Sequence, residues 1–122
     1  ARGVWQSRSN PNQSDRINRG RFVAWQKYKQ TRRPADTIAQ IVSSDRFFAA
    51  DPDGAYAEAW ALSFFLAETM PKKYFEYQAK TSSRPAFTDY PAPQRLQDFT
   101  AVFGTDLTML DARMTRFIGG LK

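Results

Sequence analysis

The stretch AYAEAWALSFFLAETMP, residues 55–71, limits the possible folds of this chain more than any other. Drawn as a helix it leaves a narrow polar sector. Tyr56, Trp60, Ser63, Phe64 and Ala67 share one side, and Ala59, Leu62, Phe65 and Leu66 cover much of the rest. A helix that is apolar nearly all round has to be covered by other elements. The pattern predicts a central buried helix over residues 55–70, with Trp60, Phe64 and Leu66 in its core. Pro71 ends it, because proline breaks the hydrogen-bond ladder yet suits the first position of a following helix, PKKYFEYQAKTSS. Two polar groups need separate reasons. Glu58 falls in the predicted first turn, where negative charge meets the positive end of the helix dipole. The Tyr56 ring can pack as core, but its OH needs a partner if buried, and a place at the helix start aims it toward an edge.

Other helices are predicted around this one. Asn18 is a candidate N-cap for a helix of about residues 19–31, with Ile17, Ala24, Trp25 and Tyr28 on one side at helical spacing. Asp36 is placed to cap a short helix carrying Ile38, Ile41 and Val42, followed by a loop with Phe47 and Phe48. DPDG, residues 51–54, reads as a turn. It also starts like a calcium loop, but no acceptor follows at the fifth position and no Glu at the twelfth. Beyond the Pro-rich RPAFTDYPAP lies QRLQDFTAVFG, with Leu96, Phe99 and Phe103 on one face and Gly104 as a C-cap signal. A last helix, from about Asp106 to Ile118, aligns Leu107, Leu110, Met114, Phe117 and Leu121. No segment alternates with period two over strand length. The fold class expected is all-α, a compact bundle of about five or six helices.

Length sets the domain count: 122 residues suffice for one core and are short for two. The expectation is one helical domain over residues 1–122 with an irregular basic arm, residues 1–18, pinned by Val4 and Trp5. The start at Ala1 without Met suggests a fragment of a longer protein. At 42% hydrophobic and 15% aromatic residues, the chain has enough core formers to fold. It contains no Cys and no His, so it lacks disulfides, thiolate or imidazole metal ligands, and His-activated nucleophiles. No apolar run reaches the roughly 18 residues of a membrane span, since Glu58, Ser63 and Glu68 interrupt the best candidate.

Charge is lopsided. Residues 1–33 carry nine basic side chains against Asp15 alone, whereas residues 34–122 carry nine against eleven acidic ones. Basic residues interleaved with Trp5, Phe22, Trp25 and Tyr28 suit phosphate contacts and base stacking. On the first helix, however, the cations scatter around the cylinder, without a reading face. Nucleic acid is therefore an unlikely partner, and solvated cations or contacts to an acidic neighbour explain them more simply. Asn12 opens an N-glycosylation triplet, a pattern frequent by chance.

The run YAEAWALSFFLAETMPKKYFEYQ followed by RLQDFTAVFGTDLTMLDARMTRFI, with RINRGRF upstream, resembles the C-terminal helical part of an uncharacterised bacterial family of unknown function. That family is similar to the peptidase-MA-like gluzincins. Gluzincins hold zinc on the two His of HExxH and on a Glu of a later helix; neither the motif nor its ligand segment is present here. AEAWA around Glu58 has a superficial likeness to the ligand segment, but the family order makes residues 55–70 the later, packing helix. The resemblance thus implies no metal or cofactor site in this chain, with zinc in the missing half of the parent. In related gluzincin aminopeptidases a Tyr opening a helix at a similar place binds the oxyanion, and Tyr56 is the matching position, the one catalytic candidate. The implied partners are the rest of the parent chain and a peptide substrate. The other reading is a free-standing helical binding module whose basic N-terminal segment contacts an acidic protein or nucleic acid.

Overall fold

The computed structural model describes residues 16–84 and 90–121. Among them it contains seven helices and no strand: α1 Arg19–Thr31, α2 Thr37–Ser43, α3 Arg46–Ala50, α4 Pro52–Thr69, α5 Pro71–Ser82, α6 Ala92–Phe103 and α7 Leu107–Gly119. The all-α class and the central helix are as expected. The count exceeds five or six because the loop expected to carry Phe47 and Phe48 folds into α3, separated from α2 by the extended Ser44. Most of the basic arm, including Val4, Trp5 and Asn12, lies outside the described residues, as does part of the Pro-rich loop.

Local chemistry sets most helix ends. The Asn18 side chain accepts from the Arg21 N–H at 3.1 Å, and Asp106 accepts from Met109 N–H at 2.9 Å. Pro71 starts α5, and Gly104 closes α6 at φ +96°, a left-handed value that favours glycine. DPDG is not a free turn. It is the start of α4: Asp51 is the N-cap and accepts from Gly54 N–H at 3.1 Å, while Pro52 takes the first helical position. Gly54 is needed for space rather than for φ. A Cβ there would lie 2.3 Å from Asp51 Oδ2 and 2.8 Å from Tyr28 Cε1.

α4 starts at Pro52, and the sector of it that forms the core differs from the expectation. Ala55, Ala57, Ala61, Leu62, Phe65 and Leu66 are buried, facing Trp25 and Tyr28 of α1 and the Leu110–Met114–Ile118 seam of α7. Leu66 is core as expected. Trp60 and Phe64 are not; they are half-buried, stacked on each other at 5.5 Å and flanked by Phe22 and Phe117. The alanines explain this, since their small side chains let neighbouring helices approach α4 and leave the large rings on its flank. Nor is α4 covered all round. It packs against α1, α2, α3, α5 and α7, but Tyr56 and Ser63 are exposed and Ala59 and Ala67 half-buried.

Candidate functional site

The earlier helix start changes the place of Glu58 along α4. It is the seventh residue of α4, beyond the first turn where the helix dipole acts, so the dipole does not explain it. Glu58 is 0% exposed. A buried carboxylate must be paired, and both its oxygens are. Arg33 donates from Nε to Oε1 at 2.8 Å and from Nη2 to Oε2 at 2.9 Å, and the Tyr28 OH donates to Oε1 at 3.0 Å. Arg33 also donates to both carboxylate oxygens of Asp111 on α7, and its guanidinium lies 4.9 Å from the Trp25 ring centre. Burial would by itself lower the Arg33 pKa; the bonds to Glu58 and Asp111 outweigh it and hold the guanidinium charged. Burial raises the Tyr28 phenol well above its usual range, and the Glu58 charge adds to this. The hub ties α1, the Arg32–Pro34 link, α4 and α7 together. Each of its members is locally unremarkable in sequence. The one trace of it in the sequence is a Glu set among alanines and aromatic residues, which a place in the first turn would account for.

Tyr56, two residues earlier, sits in a contrasting environment. It is 51% exposed. Its ring meets Phe48 edge-on at 5.2 Å, and the Arg21 guanidinium lies 5.2 Å from the ring centre. Among the described residues none hydrogen-bonds its OH. It is the fifth residue of α4 rather than part of the first turn. Beside it, between α2–α3 and α5–α6, runs an open groove of about 270 Å³ that includes Val42, Phe48, Ala59, Leu62, Tyr74 and Tyr77 in its lining. A larger depression of about 430 Å³ near Gln40, Ser44 and Arg46 has no carboxylate in its lining, nor any other acid–base group apart from that Arg.

A second acidic centre is Asp98, buried on α6, which accepts from the Tyr90 OH at 2.6 Å and from Gln94 at 2.8 Å, with Lys80 Nζ at 3.7 Å and Arg84 at 4.0 Å. The Tyr90 bond, with help from Gln94 and the cations, holds its carboxyl below the usual range. Tyr90 is pushed up to about 12 by burial and by that same bond. Asp98 and Glu58 thus serve to join helices. Among the described residues no three acidic side chains gather closely enough to hold a metal ion.

The basic segment is partly consumed inside the molecule. Arg16 pairs with Glu68 at 2.6 Å, Arg32 with Asp51 at 2.7 Å, and Arg33 with Glu58 and Asp111. These paired cations flank α1, before and after it, and are not the ones scattered around its cylinder.

Comparison with curated proteins and with solved structures gives no match. Residues 6–88 match the family described as "Protein of unknown function (DUF1570)". The matched stretch holds α1 to α5, and with them Tyr28, Arg33, Tyr56 and Glu58. Since it spans more than half of the 122 residues, the chain belongs to the DUF1570 family.

Proposed function

We propose that this chain is the helical C-terminal part of a gluzincin-like metallopeptidase or an inactive relative, not catalytic alone, and that Tyr56 is its contribution to the site. What supports the reading is the presentation of Tyr56: a half-exposed phenol on a rigid helix, wedged between Phe48 and Arg21, with no hydrogen-bonded partner among the described residues. This chain's residues do not fit zinc. It has no His or Cys, and both oxygens of Glu58 are taken by Arg33 and Tyr28. On this reading any zinc would be held by the rest of the parent chain. The role of Tyr56 is to donate its O–H to the carbonyl oxygen of a bound peptide as that oxygen gains charge. Arg21 adds positive potential at the same surface.

Losing one such donor costs about 10² to 10³ in rate. In the full-length parent, Tyr56→Phe should lower kcat by that factor with Tm and metal content unchanged. An unaltered kcat would return Tyr56 to the role of a surface aromatic. The binding-module reading is weakened by the internal pairing of Arg16, Arg32 and Arg33, which leaves fewer cations for an external polyanion.

A further inference from the structure

The groove beside Tyr56 has one charged side chain in its lining, Arg95 of α6, among aromatic and aliphatic neighbours. The carboxylate that faces Arg95 is Asp45, at 3.4 Å with its own side chain 83% exposed. That is a loose solvent-side pair of the kind worth little, so the guanidinium keeps donors for another anion. Size narrows the occupant. At about 270 Å³ the groove is open and lies at the small end of the roughly 300–1,000 Å³ of a site for a whole small molecule. It suits one bulky side chain belonging to something held elsewhere.

Its position relative to Tyr56 follows from the helix. Phe48 both touches the Tyr56 ring and lines the groove. Ala59 and Ser63 lie three and seven residues on, about 4.5 and 10 Å along α4. An extended peptide covers about 3.3–3.6 Å per residue, so the groove lies one to three residues from a carbonyl at Tyr56. We propose that it is a specificity subsite that takes a bulky apolar side chain of a peptide ligand, with Arg95 reading a carboxylate next to it. This rests on the peptide-cleft reading of Tyr56. The preferred ligand is an aromatic or large aliphatic residue followed by an acidic residue or a free C-terminus.

The test is peptide binding to the ¹⁵N-labelled 122-residue chain, followed by amide shifts. The probes are N-acetyl-Phe-Glu-amide, N-acetyl-Gly-Glu-amide and N-acetyl-Phe-Gln-amide. The first should shift Ala59, Ser63 and Tyr77, and the Gly probe should bind at least about tenfold more weakly for want of buried apolar area. Arg95→Gln should abolish an approximately two- to fivefold preference for Glu over Gln. Ser63 is exposed, so Ser63→Trp should fill the groove without unfolding the chain, and it should block the Phe probe. Circular dichroism of each variant confirms its fold. Absence of groove shifts at about 10 mM peptide, a ligand regime too weak to select side chains, would overturn the subsite, as would Phe binding that survives Ser63→Trp. Groove shifts that follow protein concentration without peptide would assign it to a second copy and equally overturn the proposal. This assay reads binding, whereas Tyr56→Phe reads turnover in the parent, so failure of one is separable from failure of the other.

Discussion

Arg33→Met tests the central packing argument. The substitution keeps an apolar stem of similar length but removes the cation from between Glu58 and Asp111 and from the face of Trp25. Glu58 would then stay buried with only the Tyr28 OH, and stranding one partner of a buried pair costs about 3–5 kcal/mol. For a chain of 122 residues this corresponds to a fall in Tm of roughly 10–25 °C, at about 3–5 °C per kcal/mol. Asp111 is a weaker partner because its side chain is 26% exposed; Asp111→Asn should cost about 1 kcal/mol or less. Removing both ends of the buried pair should be milder than removing one: Arg33→Met with Glu58→Met should recover at least about 1 kcal/mol relative to Arg33→Met alone, since no charge is left unpaired. Urea unfolding followed by far-ultraviolet circular dichroism and by tryptophan fluorescence supplies the numbers. A loss under about 1 kcal/mol for Arg33→Met, or a double variant no better than the single one, would refute the reasoning.

Gly54→Ala should destabilise by about 1–3 kcal/mol, because its Cβ would collide with the Asp51 cap and Tyr28, whereas Gly20→Ala, whose Cβ meets only Asn18 Oδ1 at 3.6 Å, should be neutral or gain up to about 1 kcal/mol; equal effects at the two sites would contradict the close approach. Stability should also fall at high pH. The Tyr90 phenol rises from 10.0 to about 12 on folding, so its contribution is whole below pH 10 and lost as pH climbs toward 12. Urea midpoints at pH 8 and 11 should show the decline, and Tyr90→Phe should reduce it. In the acid direction the depressed Asp51 and Asp98 contribute above their ordinary 3.8 and lose that contribution as pH falls through their lower folded values.

What the sequence disclosed divides along the range of the interactions. Asn18, Pro71, Gly104 and Asp106 act on backbone within three or four residues, and their helix ends came out nearly where expected. The Glu58 hub was hidden because its bonds join residues 25 apart, and those of Asp111 reach across 78. No local spacing says which of nine N-terminal cations will meet that carboxylate. Trp60 and Phe64 were misplaced for a different reason. A helix apolar on nearly every side has no preferred direction in its own pattern, and the alanines, small enough to admit neighbours, decided which sector became core. DPDG misled because the same Asp-Pro-x-Gly chemistry that favours a turn also caps and starts a helix. Tyr56 was legible as the odd residue of its helix; the Phe48 and Arg21 contacts that mount it were not.

Helix phase connects the hub to Tyr56. Residues two apart stand about 200° around an α-helix, so a buried Glu58 places Tyr56 on the outer side. Apolar side chains alone would let α4 settle in more than one rotation, since each turn offers bulk on several faces. A rotation by one residue, about 100°, would carry Glu58 away from Arg33 and leave both charges poorly paired, at a cost of several kcal/mol. The buried charged pair then acts with the alanines in selecting one rotation, and the outward aim of Tyr56 follows from it. The hypothesis separates specificity from stability. The Arg33→Met, Glu58→Met double variant should fold with an acceptable Tm yet show broadened or doubled amide resonances along α4, including those of Tyr56 and Ser63. A spectrum as sharp and singly populated as that of the native chain would mean that side-chain shape alone sets the rotation, and that the charges do not orient Tyr56.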